Sequence, residues 1–263
     1  MDENLGTNYD ELAQYYDLIH AELTADIEFI LSLASGKQRI ILELGCGTGR
    51  LVLPLARAGH RVFGLDSSLE MLALAKVKLD REPADIQSRV AWIEGDMTSY
   101  HIGRLFGLVT ISHNTLHELT SDTVRKVFSR IKKHLRPDGL IFIDLGNPFN
   151  ALQQHDDDFV WVEDKSFQDP ESGFLVHQRS SVSFDLPRQK LHVKKVLVSQ
   201  EGEAPPSKRY TDEIDFYMMY PHELDLLLES AGLQLDQLYG GYAWEPFSDD
   251  SDRMIAIARH RMH

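Results

Sequence analysis

The sequence predicts an α/β fold: a doubly wound, mostly parallel seven-stranded sheet with an N-terminal helical cap and an inserted antiparallel β lobe. Three observations predict it. Between residues 39 and 145, short apolar runs of strand length alternate with helical stripes, the pattern of a parallel sheet covered on both faces. From Phe174 the apolar period drops to two, as in a half-buried antiparallel strand. The first apolar run ends in Glu43-Leu44-Gly45-Cys46-Gly47-Thr48-Gly49, with three glycines at alternate positions between a strand and a helix.

Each element has its own signal. Tyr9, Leu12, Ala13 and Tyr16 fall at i, i+3, i+4 and i+7 and predict a first helix. A second helix covers residues 26–34 and ends near Gly36. Strand one is Ile40–Leu44, and Leu51, Val52, Leu55 and Ala56 form the helical stripe behind it. Strand two, residues 62–65, ends at Asp66. Ser67-Ser68-Leu69-Glu70 then matches a capping box, with Ser67 as N-cap and Glu70 at the third helical position, ahead of Met71, Leu72, Ala75 and Leu79. Strand three (90–93) leads into Glu94-Gly95-Asp96-Met97, and strand four (108–112) into His113-Asn114. A helix carrying Val124, Val127, Phe128, Ile131 and Leu135 is closed by Pro137-Asp138-Gly139, and strand five spans 140–145.

The period-2 region follows. Phe174, Val176, Val182 and Phe184 share one phase, and His177, Arg179 and Asp185 the other. Residues 160–162 and 191–198 look similar, and the turn-forming stretch 201–207 separates them from 210–220. Residues 150–215 therefore read as the inserted lobe, with 1–149 and 216–263 as the core. The core resumes at Pro221, which suits a first helical turn, and that helix ends at Gly232. Two last strands, Leu233–Tyr239 and 253–259, flank an acidic loop.

Bulk properties narrow the function. The chain has 263 residues, 43% hydrophobic and 26% charged, ordinary values for a globular enzyme. A formal net charge of −14 disfavours non-specific nucleic-acid binding, which depends on neutralising phosphates. No apolar stretch approaches the roughly 20 residues that span a bilayer. The acidic start Met1-Asp2-Glu3-Asn4 lacks the plan of a secretory signal. One cysteine allows no intramolecular disulfide and fits a reducing cytoplasm. The expectation is a cytoplasmic monomer or homodimer that engages neither membrane nor nucleic acid. No histidine lies near Cys46 in sequence, so it reads as a small apolar filler.

The glycine turn marks a cofactor site, because backbone without Cβ atoms can approach a ligand closely and the following helix aims its N–H groups there. Nicotinamide and flavin sites space their glycines G-x-G-x-x-G, whereas here bulky Arg50 follows Gly49. The P-loop pattern G-x-x-x-x-G-K-[ST] is absent.

The spacing E-x-G-x-G-x-G resembles the cofactor motif of class I S-adenosylmethionine-dependent methyltransferases. Asp66, Glu94-Gly95-Asp96-Met97 and Leu135-Arg136-Pro137-Asp138-Gly139 match that family's arrangement in order, over about residues 39–145. The resemblance implies a Rossmann-like methyltransferase fold and S-adenosyl-L-methionine as cofactor. It implies that Gly45, Cys46, Gly47 and Gly49 pass beside the cofactor and that Asp66 accepts both ribose hydroxyls, with Ser67 and Met71 alongside. Asp96 would take the adenine amino group and the Met97 backbone a ring nitrogen. Glu43 would orient the turn or meet the methionine amino group. Tyr9-Asp10 and Tyr16-Asp17 resemble a narrower group, the small-molecule N-methyltransferases that include sugar-amine dimethyltransferases and glycine N-methyltransferase-like enzymes. There, N-terminal tyrosines close over the cofactor carboxylate; helical spacing alone would also give an aromatic core stripe.

Methyl transfer from a sulfonium is an in-line displacement, so alignment outweighs proton chemistry. An ammonium or hydroxyl acceptor must still lose a proton. His113 and His117, spaced i, i+4, are the candidate bases if one helical turn aligns them and their pKa stays near neutral; His113 also lies beside the cofactor. They serve equally well as packing or capping residues. His113-Asn114-Thr115-Leu116-His117 lacks the glutamate of a zinc H-E-x-x-H motif, so no metal is expected. Nor does strand four end in the Asn/Asp-Pro-Pro-Tyr/Phe of enzymes acting on DNA adenine or glutamine; Asn147-Pro148-Phe149 is only partly similar and comes one strand later. Trp161, Tyr217, Tyr220, Tyr242 and Trp244, with Asp156-Asp157-Asp158 and Asp249-Asp250, could draw a cation to the lid or simply form a lobe core and solvated loops. The favoured reading is methyl transfer to a small-molecule amine. The alternatives are a small hydroxyl or carboxylate acceptor, a protein or RNA acceptor, an NAD-dependent oxidoreductase and a non-catalytic binding protein.

Overall fold

Residues 9–35, 39–153, 161–169, 172–200 and 207–261 are described by a computed structural model. Helices α1 (Tyr9–Ile19) and α2 (Ala25–Ala34) lead into β1 (Ile40–Leu44), α3 (Val52–Arg57), β2 (Arg61–Asp66), α4 (Leu69–Leu79), a short α5 (Ala84–Gln87) and β3 (Val90–Glu94). Then come β4 (Phe106–Ile111), a 3₁₀ turn (Thr115–Glu118), α6 (Ser121–His134), β5 (Leu135–Gly146) and α7 (Pro148–Gln153). The lobe contributes β6 (Val162–Gln168), β7 (Leu175–Asp185), β8 (Lys190–Gln200) and β9 (Ser207–Tyr217), and the chain closes with α8 (Pro221–Ser230), β10 (Leu233–Tyr239) and β11 (Arg253–His260).

The seven-stranded sheet has the order β10-β11-β5-β4-β1-β2-β3, parallel from β5 to β3, with β11 antiparallel to both β5 and β10. Successive strand residues face opposite sides, so one strand feeds two cores. Ile41, Val62, Leu108 and Phe142 pack with Phe29 and Ile30 of α2, Leu55 of α3 and Leu72 of α4. On the other face, Leu42, Leu44, Val109 and Ile143 pack with Val127, Phe128 and Ile131 of α6 and Leu224 and Leu228 of α8. Burying each such side chain stabilises the fold by roughly 1.5–3 kcal/mol. The strand order reverses between β1 and β4, and ligands of open α/β sheets bind outside the strand carboxyl ends at such a point.

The lobe is a separate antiparallel sheet in the order β6-β7-β8-β9. Its inner residues Val176, Leu197 and Tyr210 pack on Tyr15 and Ile19 of α1, and β9 also packs on the 3₁₀ turn. The second sheet thus stands over the carboxyl ends of the first. Among the described residues, no helix is long and apolar enough to cross a membrane.

Four details differ from the sequence reading. Ser68, not Ser67, caps α4: its hydroxyl accepts from Met71 N–H at 3.1 Å, while Ser67 is exposed. The chain leaves β2 one residue later than the capping pattern implied, because Asp66 still pairs with Glu94. Strand β5 starts at Leu135, with Phe106 opposite Leu135 and Leu108 opposite Leu140, so residues 136–139 bulge instead of closing a helix. Pro137 has no N–H for the ladder, which accounts for a bulge there. Finally, β6 begins at Val162, and residue 160 lies outside the described residues, as do Gly36, 201–206 and Asp156-Asp157-Asp158.

Candidate active site

The glycine turn is fastened to the end of β2. Gly45 and Cys46 N–H both donate to Leu65 O, at 2.8 and 3.0 Å. Gly47 N–H donates to Asp66 Oδ2 at 2.6 Å, and Ser68 N–H to Asp66 Oδ1 at 2.9 Å. All three glycines are left-handed, at φ +71°, +52° and +77°, which L side chains rarely adopt. Gly49 has a second reason: a Cβ there would stand 2.5 Å from Trp92 Cη2, and one at Gly64 2.7 Å from Trp92 Cζ3. The indole of Trp92 fills the space behind the turn. In front, a Cβ on Gly47 would meet nothing closer than Met71 Sδ at 3.9 Å and the Tyr16 ring at 4.0 Å. Buried Cys46, its thiol pKa pushed well up by burial, packs toward Gly64 as the expected filler.

Helix α1 covers this turn. Thr48 Oγ1 donates to Asp17 Oδ1 at 2.6 Å, and Lys78 Nζ to Asp17 Oδ2 at 2.7 Å. The Tyr16 ring lies 4.5 Å from that of His20, which meets His113 edge-on at 4.4 Å. This file of rings leads from the glycine turn to the tip of β4. Arg50 reaches back to α2, donating to Leu23 O at 2.9 Å and pairing through both terminal nitrogens with fully buried Asp26.

Glu43 is 3% exposed, and its Oε2 is buried with no hydrogen-bond partner. Burial pushes its pKa up to about 8, opposed by Arg50 and reinforced by Asp26 and Asp66. A buried carboxylate oxygen without a donor suits an incoming ammonium. Asp66, part-exposed, accepts from a backbone N–H with each carboxylate oxygen, which fixes its carboxylate at the tip of β2. Asp96 is exposed and accepts from Thr98 N–H and Thr98 Oγ1, both at 2.7 Å, so it also builds its own turn. The Met97 side chain reaches to 3.7 Å from a Cβ position at Gly45.

His113 and His117 do not share a helical face. His113 and Asn114 are both left-handed (φ 54° and 68°), and only then does the 3₁₀ turn begin. Asp144, fully buried in β5, holds this kink. Its Oδ2 accepts from His113 N–H at 3.1 Å and Tyr242 Oη at 2.9 Å, its Oδ1 from Arg253 Nε and Nη2 at 2.9 and 2.6 Å, and its carbonyl from Asn114 N–H at 3.0 Å. Neither histidine has the near-neutral pKa a base needs. Burial, aided by Arg253, pushes His113 down to about 3 and His117 to about 4. His20 is pushed down further still by burial and by His113. All three imidazoles are uncharged at neutral pH.

The carboxyl with a matched pKa is Glu118, one residue beyond His117. It is crowded by protein yet keeps accessible surface, and it accepts from Tyr9 Oη. Burial pushes its pKa up to about 7, opposed by the Tyr9 hydrogen bond and Lys195, reinforced by Asp212 and Asp66. The Tyr9 hydroxyl therefore serves Glu118, whereas Tyr16 stands over the glycine turn. Sequence reasoning missed Glu118, the Asp26–Arg50 pair and Asp144. Only Asp144 left a trace, an acid inside the apolar run of strand five.

The expected aromatic lid does not assemble. Trp244 stacks on Phe29 at 3.9 Å, Tyr242 binds Asp144, Tyr220 meets Phe149, Tyr217 lies under Lys190, and Trp161 is exposed. Asn147 is structural: its Nδ2 donates to the carbonyls of Asp249 and Ser251 at 2.9 and 2.7 Å, closing the acidic loop.

A doubly wound sheet with this glycine turn, acids at three strand tips and a lobe above defines a class of nucleoside-cofactor transferase. Comparison with known proteins narrows it. Residues 41–139 match the methyltransferase domain family. The chain is 26% identical to cypemycin N-terminal methyltransferase of a Streptomyces species, covering 95% of this chain and 96% of that protein. It is 29% identical to dTDP-3-amino-3,6-dideoxy-alpha-D-glucopyranose N,N-dimethyltransferase of Streptomyces fradiae, over 51% of this chain and 52% of that one. The structure of the CcbJ methyltransferase from Streptomyces caelestis superposes with a TM-score of 0.81 at 24% identity, covering 97% and 99% of the two chains. The chain is an S-adenosylmethionine-dependent methyltransferase.

Proposed function

We propose that the enzyme methylates the nitrogen of a small-molecule amine, the acceptor entering between the glycine turn and the lobe. The observation that carries this is the electrostatics of the β4 tip. Glu118, Asp66 and Asp212 bring negative charge there, and His113 and His117 on the same connection are uncharged. Those carboxylates attract a cationic amine, even with Lys195 near Glu118. Two relatives support it by name, one an N-terminal methyltransferase and one an N,N-dimethyltransferase of an amino sugar.

The cofactor supplies a methyl group on a sulfonium, an already activated carbon. This chain's residues hold and align. Gly45, Cys46, Gly47 and Gly49 give it close backbone, Asp66 its ribose contacts, Asp96 and Met97 the adenine contacts, and Glu43 the partner of its amino group. Tyr16 and Met71 enclose it, and Ser67 borders it from solvent. His113 and His117, kept neutral, accept hydrogen bonds from the amine and so orient its lone pair; Asp144 fixes His113 for that task. Holding two reactants in line contributes roughly 7–11 kcal/mol to such a displacement.

Residues 150–215 act as the acceptor-binding lobe, and the enzyme works in the cytoplasm as a monomer or homodimer without nucleic acid. One unpaired cysteine and the net charge of −14 support this. A tritiated-methyl transfer assay over amines, hydroxy compounds, carboxylates, protein and RNA tests the acceptor. Label in amines supports the reading; label only in hydroxy compounds, carboxylates or a macromolecule overturns it.

A further inference from the structure

The face that the lobe turns toward α1 is only half apolar. Val176, Leu197 and Tyr210 pack there as an inner face should. Beside them runs a polar row, Ser180 of β7, Lys195 of β8 and Asp212 of β9, in direct cross-strand register. Asp164 of β6 joins it, accepting from Ser180 Oγ and Gln178 Nε2, both at 2.8 Å. Polar groups on a packed face lower stability unless partnered. Lys195 has neither a hydrogen bond nor an ion pair within 4.0 Å among the described residues. Its pKa is lowered by burial, although Asp164, Asp212 and Glu118 face it. Across the gap stands the 3₁₀ turn with Glu118, and β9 packs on that turn. The groups facing Glu118 are Tyr9 from α1, Lys195 from β8, Asp212 from β9 and Asp66 from the tip of β2.

We propose that Glu118 is the catalytic residue on the acceptor side: its carboxylate binds the ammonium of the incoming amine and takes one of its protons, with Lys195 as the positioning residue that sets its charge. The assignment rests on an amine being the acceptor. In the step, one N–H bond breaks, its electron pair stays on nitrogen as the nucleophilic lone pair, and an O–H bond forms on Glu118. Ammonium and carboxylate become amine and carboxylic acid, and the proton leaves for solvent before the next turnover. Glu118 is matched to this, since a base works best with a pKa near the working pH. Histidines at about 3 and 4 are too weakly basic to hold the proton. Burial also lowers the pKa of the ammonium, bringing donor and acceptor closer.

The test uses the whole enzyme and the amine with the highest turnover in the transfer panel. Glu118→Gln should lower kcat by ~10²–10⁴-fold and leave S-adenosylhomocysteine affinity by calorimetry unchanged, which also shows that the variant is folded. Wild-type kcat should rise with pH through an acid limb near 7, absent from the residual activity of Glu118→Gln and partly restored in Glu118→Asp. The carboxyl is read directly by infrared difference spectra of wild type minus Glu118→Gln, where a protonated C=O band should vanish with a midpoint near pH 7. Lys195→Met should move band and acid limb together to higher pH, because a facing cation has been removed. A Glu118→Gln enzyme that methylates the amine within threefold of wild type, or a band already absent at pH 5, overturns the assignment alone. An enzyme that methylates no amine overturns the acceptor reading and the assignment with it.

Discussion

Replacing Glu43 with glutamine removes a charge that folding has made costly, and the cost can be worked from the structure. The carboxyl lies in the strand end beneath the glycine turn, with Oε2 lacking any donor. Burial raises its pKa from 4.5 to about 8, so the folded state holds the proton longer than the unfolded chain does. The sign follows from linkage. Below pH 4.5 both states are protonated and nothing is lost; as pH rises from 4.5 to 8 the unfolded chain gains by ionising and the folded one does not. At 1.36 kcal/mol per pH unit, the folded state forgoes about 3 kcal/mol by pH 7. Glu43→Gln, similar in shape and always neutral, escapes this. Urea unfolding at pH 5 and pH 7.5 should therefore show the variant gaining on wild type by about 3 kcal/mol between the two. Binding should go the other way. An ammonium beside Glu43 favours its ionised form, so S-adenosylhomocysteine binding to wild type at pH 7 should release close to one proton. Calorimetry in buffers of different ionisation enthalpy measures that release, and Glu43→Gln should lose it along with affinity. Parallel unfolding curves, or equal proton release and affinity in both proteins, would refute the reasoning.

Asp66→Ala should weaken S-adenosylhomocysteine binding by about 2 kcal/mol or more, read by calorimetry, because charge-assisted contacts and the Gly47 anchor go together. Asp144→Ala should cost about 3–5 kcal/mol in urea unfolding by stranding the buried Arg253 and freeing the His113 kink. Gly49→Ala should cost about 2 kcal/mol or more, from a left-handed φ and a collision with Trp92; combining it with Trp92→Phe should recover part of that, a coupling of about 0.5–3 kcal/mol in a double-mutant cycle. Ser68→Ala should cost about 0.5–2 kcal/mol as an N-cap, while Ser67→Ala stays within about 0.5 kcal/mol by thermal unfolding.

The strands of the main sheet were legible because each is a short apolar run bounded by turn residues, and the lobe because its period falls to two. Local chemistry placed Asp66 and the glycines. What escaped was anything set by chain segments meeting across the fold. Arg50 marks a departure from the nicotinamide pattern, yet its partner Asp26 lies 24 residues earlier. Glu118 is an ordinary acid in sequence; its raised pKa comes from burial first and then from Asp212 arriving on the lobe, against the pull of the Tyr9 hydrogen bond and Lys195. The placement of His113 and His117 is set in the same way. The i, i+4 spacing presumed a helix, but the Asp144 network, reaching from β5 and β11, holds His113 and Asn114 left-handed and breaks it. Tyr242 and Trp244, grouped with the lid by composition, are claimed by Asp144 of β5 and Phe29 of α2.

Trp92 carries an optical consequence. Its indole Nε1 is buried without a hydrogen-bond partner, whereas Trp161 and Trp244 are 47% and 38% exposed. Its emission therefore lies to the blue of theirs, and a water-soluble quencher reaches it last. Because Gly49 and Gly64 rest directly against its ring, any displacement of that loop as ligand loads alters the chromophore's surroundings. The wedge that keeps the loop in shape is thus a built-in gauge of its occupancy, readable without a label.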